Sequence, residues 1–157
     1  MCGKRDAAHR DFHNACNSHP DAFNLLLVDS EGPVNNTPKH HLNKRDGWSL
    51  ELSEKHYHLM VQTMESWLIA DVDALKQFYG QSFQKSSIPP NNNVEQIPKN
   101  QLTKSLEKAS QNSQKGKYHK IRHAAKILKQ LNAATVQSKA LHCKRFFQTV
   151  STLINSN

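Results

Sequence analysis

The chain has 157 residues, of which 36% are hydrophobic and 7% aromatic, a length and composition that fit one globular domain. No apolar run approaches the roughly 20 residues of a membrane-spanning helix, and the charged first residues lack the apolar core of a secretory signal, so we expect a cytoplasmic protein. The net charge of +8 favours a polyanionic partner, although a charge that only confers solubility explains it equally well.

The beginning of the chain alternates helical and strand patterns. Residues 3–17 place apolar side chains at helical spacing, and His19-Pro20 is expected to close this helix. Residues 23–28 form a short apolar run, which predicts a strand buried on both faces, as in parallel sheets covered by helices. Residues 30–55 contain glycines, prolines and an Asn-Asn pair, so a long loop is expected there.

A second strand and two short helices are predicted next. The strand pattern covers residues 57–61, and a short helix is expected over residues 64–70. Asp71 is a suitable N-cap for a further helix over residues 73–79, which Gly80 is expected to stop.

The rest of the chain is polar and then helical. Residues 81–97 are interrupted by prolines and are expected to form a surface loop. Apolar stripes then predict three helices, over residues 98–110, over residues 121–131 with Ile121 on the apolar face, and near the end of the chain. The sequence therefore predicts a single α/β domain over residues 1–157, with an α/β part (1–80), a polar loop (81–97) and a basic helical part (98–157).

Two acids follow the first predicted strand. Asp29 and Glu31 are two residues apart, and such residues on a strand point to one face, so both carboxylates are expected to converge where the chain leaves the sheet. Open α/β sheets bind ligands in that crevice, and carboxylate oxygens suit Mg²⁺ or Mn²⁺. The alternative is that Asp29 caps a turn and Glu31 is solvated.

A third acid and a basic segment complete the candidate site. Glu65 lies among apolar neighbours at a helix start, so it must be paired, protonated or metal-bound, unless it only complements the helix dipole. Lys120 stands at a predicted helix entrance, where a lysine can meet a phosphate or a developing oxyanion. The segment around Lys120 is rich in basic residues and predicts either nucleic-acid contacts, with one aromatic ring for stacking, or a solvated helix face. Its members are Lys115, Lys117, Tyr118, Arg122, Lys126 and Lys129.

Other reactive residue types form no recognisable motif. Arg10 stands where the zinc motif HExxH around His9 and His13 would need a glutamate. The odd, widely spaced cysteines Cys2, Cys16 and Cys143 form no CxxC pair and indicate reduced thiols in a cytosolic protein.

Several motifs occur together in an order that resembles a known protein family. They are LLLVDSEGPV from residue 25, DGW from 46, HLMVQTMESWLIAD from 58, FYGQSF from 78, VEQIPK from 94 and YHK from 118. From about residue 2 to its end, the chain thereby resembles an uncharacterised bacterial domain family that looks like the Toprim effector of PARIS-type anti-phage systems. This family is related to the overcoming-lysogenization-defect nucleases, and its members are often encoded beside an ABC-like or AAA-type ATPase.

The resemblance implies a Toprim-like parallel sheet flanked by helices, and Mg²⁺-dependent cleavage of phosphodiester bonds in DNA or tRNA for antiviral defence. By position, Asp29 and Glu31 match the family's paired metal-binding acids, Glu65 its following catalytic acid and Lys120 a cation near the scissile phosphate. The family's first strand, with a glutamate beside a glycine, has no counterpart, so the sheet is expected to be truncated at the N-terminus, with loss of activity as one outcome. The alternative function is a non-catalytic basic module that binds nucleic acid or a partner ATPase.

Overall fold

The computed structural model describes residues 5–155, which form eight α-helices and a two-stranded sheet. None of the described helices is long and apolar enough to cross a membrane. In chain order the elements are α1 (Arg5–Ser18), β1 (Leu26–Asp29), α2 (Pro38–Asp46), β2 (Tyr57–Met60), α3 (Glu65–Ala70), α4 (Val72–Tyr79), α5 (Lys99–Ser110), α6 (Lys120–Leu128), α7 (Ala133–Lys139) and α8 (Leu141–Asn155). Short 3₁₀ turns lie at Glu54–His56, Lys85–Ser87 and Val94–Gln96.

The two strands are parallel and lie between helices, so the predicted α/β class is confirmed at this level. The register pairs Leu26 with Tyr57 and Asp29 with Met60. Because the strands are parallel, their carboxyl ends lie at the same edge of the sheet. The segments that follow Asp29 and Met60 therefore leave the sheet side by side. A hydrogen bond of 3.0 Å from Ser30 N–H to the Met60 carbonyl joins them there.

Two groups of buried side chains form the core. One group packs α1 and α2 against the sheet through side chains such as Phe12, Leu42 and Tyr57. The other surrounds α3, all of whose residues are buried, with side chains from α4 to α8. Leu27 and Met60 of the sheet pack against this second group, so the strands separate a front core from a helical back core.

The first predicted helix, both strands and the helices on either side of Asp71 are confirmed, with shifted ends. Residues 3 and 4 of the first predicted helix, and Cys2, lie outside the described residues. The first strand covers Leu26–Asp29, so the predicted start at residue 23 is wrong. The residues before Leu26 lack the pairing with β2 that defines the strand.

The prediction of one long loop over residues 30–55 is wrong, because α2 lies within it. Thr37 caps α2 by accepting a hydrogen bond from His40 N–H, Pro38 occupies its first turn, and Gly47 ends it with a left-handed φ of 69°. Residues of these types commonly begin and end helices. The sequence pattern does not predict α2, because this helix buries a single large aliphatic side chain, Leu42, and so shows no apolar stripe.

Three expectations for the back half also need correction. The segment 81–97 has no α-helix or strand, as expected, but it does not lie wholly on the surface, because it buries Phe83, Ile88, Val94 and Ile97. Helix α7 was not predicted, and in the structure its N-cap Asn132 accepts from Thr135 N–H. Ile121 is 87% exposed, and the buried face of α6 consists of His123, Ala124 and Ile127 instead.

Asp71 joins two helices through its buried carboxylate. One oxygen accepts from Ala74 N–H at 3.1 Å and caps α4, as predicted. The other oxygen accepts from Asn132 N–H at 2.8 Å, just before α7. One side chain therefore satisfies two backbone donors that are distant in sequence.

Replacing Asp71 with alanine is expected to lower the free energy of unfolding by about 2–3 kcal/mol, because both backbone donors lose their acceptor inside the protein. Urea denaturation measures this loss. The matched control is Asp73→Ala on the same helix, where the side chain is 87% exposed and its one ion pair among the described residues is with Lys85, so its urea midpoint should match the wild type. Equal losses in the two variants would contradict the role of Asp71.

Candidate functional site

A cleft of about 1040 Å³ runs along β1 and is bounded by α1 on one side. Its apolar wall includes Leu27, Met60 and Trp67, while charged side chains of several elements also line it. The charged groups are Arg5, Asp6, Asp11, Asp29, Glu31 and Lys120. The cleft therefore combines an apolar wall with acids and bases from α1, the end of β1 and the start of α6.

Asp29 is the last residue of β1, and both of its carboxylate oxygens have partners. Oδ1 accepts from the backbone N–H of Met64 at 2.7 Å, and Oδ2 lies 3.3 Å from the ammonium nitrogen of Lys120. Its side chain is only 15% exposed. Burial raises the pKa of Asp29, and the attraction of Lys120 and the hydrogen bond from Met64 offset only part of that rise.

Glu65 opens α3 and is almost fully buried, with 4% of its side chain exposed. Its Oε1 accepts from the hydroxyl of Tyr118 at 3.0 Å, and its Oε2 lies 3.4 Å from Nζ of Lys120. Burial and the neighbouring carboxylate raise the pKa of Tyr118 well above its ordinary value. The Tyr118 hydroxyl thus keeps its proton and continues to donate to Glu65.

Lys120 completes this arrangement from the first position of α6. Burial alone would lower the pKa of Lys120, but the negative charges of Asp29 and Glu65 raise it overall, so the side chain is an ammonium ion at neutral pH. About half of the side chain (53%) remains exposed. Each carboxylate therefore has one oxygen fixed by a protein donor and a second oxygen directed at the same cation.

Glu31 and Asp29 line the same cleft, but their carboxylates pair with different cations and not with one shared partner. The strand ends at Asp29, and Glu31 has a left-handed φ of 62°, so the alternation of a strand no longer applies. Its carboxylate pairs with Lys99 instead. Burial would raise the pKa of Glu31, but the hydrogen bond and charge of Lys99 lower it overall.

Gln62 holds the Glu31–Lys99 pair in place. Its carbonyl accepts from Glu31 N–H at 2.7 Å, and its side-chain oxygen accepts from Lys99 N–H at 3.1 Å. Glu31 therefore pairs with a different cation from the two carboxylates that share Lys120. Within residues 5–155, no three or more His, Cys, Asp or Glu side chains are grouped to hold a metal ion.

The predicted nucleic-acid contacts divide into three environments. Tyr118 is only 5% exposed, so the expectation that its ring is available for stacking is wrong, because Glu65 and the core hold it. Lys117 pairs with Glu107 at 2.8 Å. Arg122 and Lys126 are exposed and line a second groove, away from the cleft.

Arg5 is a site residue that the sequence did not single out. Its guanidinium pairs with Asp46 and lies 5.2 Å from the ring centroid of Trp48, which gives the DGW motif a structural role. The Nε and Nη1 donors of Arg5 are buried and meet no acceptor among the described residues. An arginine at a helix start is too common to signal a site, so only the tertiary structure identifies it.

Comparison with known proteins gives one match. The family described as a domain of unknown function (DUF4276) matches residues 3–151, a range that includes every residue of the cleft. No curated protein and no solved structure matches the chain significantly.

Replacing Lys120 with methionine is expected to raise the pKa of Asp29 further, because the cation that favours its charged form is lost while burial remains. Carboxyl-carbon NMR titration of Asp29 measures the change. Lys117→Met removes an equal charge that pairs with Glu107 instead, and it should leave the titration unchanged. If Lys120→Met left the Asp29 titration at its wild-type position, the carboxylates would not depend on this cation.

Proposed function

As the chain belongs to the DUF4276 family, we propose that this member is a Toprim-like, Mg²⁺-dependent phosphodiesterase that cleaves nucleic acid in defence against phage. The observation that carries the proposal is the approach of two carboxylate oxygens to one cation. Oδ2 of Asp29 and Oε2 of Glu65 lie 3.3 and 3.4 Å from Nζ of Lys120. Two carboxylates that are far apart in the sequence thus face the same ammonium group.

The donor set fits Mg²⁺ or Mn²⁺. These ions prefer oxygen ligands and are commonly held by one or two carboxylates, with water and substrate phosphate completing the shell. Asp29 and Glu65 would hold the ion through the oxygens that now face Lys120. When bound, the ion supplies charge neutralisation on the phosphate and activation of a water molecule.

The remaining contacts suit residues that orient these ligands. Met64 N–H fixes Oδ1 of Asp29, and the Tyr118 hydroxyl fixes Oε1 of Glu65. Partners of this kind determine which oxygen of a carboxylate is free to bind a metal. Glu31, which the sequence assigned to the metal, is paired with Lys99, and the proposal therefore gives the ligand role to Glu65.

The same cleft offers positive groups to a phosphate. Lys120 is half exposed on a flexible stem, so it can leave the carboxylates and approach a phosphate oxygen. The Nε and Nη1 donors of Arg5, which meet no acceptor within residues 5–155, belong to a side chain that lines the same cleft. Guanidinium donors of this kind favour an anionic ligand whose oxygens can accept two parallel hydrogen bonds, such as phosphate.

The proposal predicts that Asp29→Asn and Glu65→Gln each reduce Mg²⁺-dependent cleavage of single-stranded DNA or tRNA by about 100-fold or more, because each removes a charged ligand. Gel analysis of labelled substrates, with Mg²⁺ or EDTA, measures the rate. The control Glu107→Gln removes an equal charge from α5, where Glu107 pairs with Lys117, and should cleave like the wild type.

The alternative function, a non-catalytic basic module that binds nucleic acid or a partner ATPase, gives a different result in the same experiment. It predicts that the affinity for nucleic acid is the same with or without the two acids and with or without Mg²⁺, and that no variant cleaves the substrate. Cleavage that survives the double change Asp29→Asn with Glu65→Gln would contradict the assigned metal ligands.

A further inference from the structure

A second groove, of about 850 Å³, lies between α4 and α6, on the outer side of α6. Its charged residues are Lys115, Arg122, Lys126 and Lys129, and we refer to these four as the basic groove. All four are exposed.

The basic groove concentrates unpaired positive charge. No acid lines it, and within the described part of the chain none of its four cations forms an ion pair, whereas the nearby Lys117 and Lys120 both do. Burial lowers the pKa of the adjoining His123, and the positive charges of His119 and of three groove cations, Arg122, Lys126 and Lys115, lower it further. Like charges gathered without counter-charges create a local potential that attracts an anion.

The spacing of the cations favours a polymeric anion over a single phosphate. Arg122 and Lys126 are four residues apart and Lys129 follows three later, so they share one face of α6. At a rise of 1.5 Å per residue this row spans about 10 Å. Each strand of double-stranded DNA carries one phosphate per roughly 3.4 Å of the helix axis, so the row can meet about three successive phosphates of such a strand.

The row points away from the cleft. Lys120 lies two residues before Arg122 and turns inward to the two carboxylates, while Arg122 and Lys126 face solvent. Helix α6 thus presents one cation to the candidate catalytic site and a row of cations to the outside. The basic groove is a separate surface carried by the same element.

We infer that the basic groove binds the sugar–phosphate backbone of a nucleic acid, an inference that rests on the proposed function in treating this polymer as the substrate. Two aromatic rings among the described residues line the groove, Phe78 and His123, and both are buried. The Lys115 ammonium lies 5.2 Å from the centroid of the Phe78 ring. Neither ring is free to stack on a base. Contacts to phosphates alone fix position without reading sequence, so binding here is independent of base sequence.

The test measures binding of a fluorescent single-stranded DNA of about 20 nucleotides by anisotropy, in EDTA so that no cleavage occurs, over a range of KCl concentrations. The groove variant carries Lys115→Gln, Arg122→Gln, Lys126→Gln and Lys129→Gln. The control variant loses the same charge from four exposed lysines outside the groove, through Lys44→Gln, Lys104→Gln, Lys108→Gln and Lys144→Gln. Circular dichroism confirms that both variants are folded.

The groove variant should bind at least about tenfold more weakly, and its slope of log K against log salt should fall by about 3, since each phosphate contact on a single strand contributes about 0.7. The control variant should stay within about threefold of the wild type. Equal weakening of the two variants, or wild-type binding by the groove variant, would overturn the inference.

The proposed function can fail independently of this result. If the wild type binds through the groove but never cleaves with Mg²⁺, the catalytic proposal fails and the groove inference stands. If the wild type cleaves and the groove variant binds the DNA as tightly as the wild type, only the groove inference fails.

Discussion

The contact of Lys120 with two carboxylates is the interaction on which the arrangement of the site depends. Asp29 ends the first strand, Glu65 opens α3 and Lys120 opens α6. A carboxylate that is almost excluded from water is stable only when it is paired and hydrogen-bonded. Lys120 supplies the charge, and the donors Met64 N–H and Tyr118 Oη supply the hydrogen bonds. The front core and the helical back core therefore meet at a polar junction whose stability depends on this pairing.

Parallel strand pairing explains why residues so distant in sequence meet there. The register places Asp29 beside Met60, so the turn that leads to Glu65 begins next to the end of the first strand. Ligand sites at the carboxyl ends of parallel strands are a general property of α/β sheets. In this protein the two strands bring the acids together, and α6 adds the cation from the other side. The same helix carries the basic groove on its outer face, which links a candidate catalytic position to a candidate binding surface.

Much of this could be predicted where the local sequence determines the structure. Both strands, α3 and α4 follow from apolar runs and from the caps Asp71 and Gly80. Glu65 was recognisable because a carboxylate among apolar residues needs a partner. The partner of Glu31 could not be predicted, because the strand ends at Asp29 and Glu31 has a left-handed φ, to which the alternation of a strand does not apply. Arg5 and the burial of Tyr118 depend on contacts across the fold, which spacing along the chain does not encode.

The most direct test of the central claim is to locate a bound divalent ion. In crystals soaked with Mn²⁺, the anomalous difference map should show a peak within bonding distance of Oδ2 of Asp29 and Oε2 of Glu65, at about 2.0–2.3 Å, with Lys120 displaced from between them. Asp29→Asn with Glu65→Gln should abolish that peak. A map without a peak at this position in well-soaked crystals, with Lys120 still bridging both carboxylates, would contradict the account.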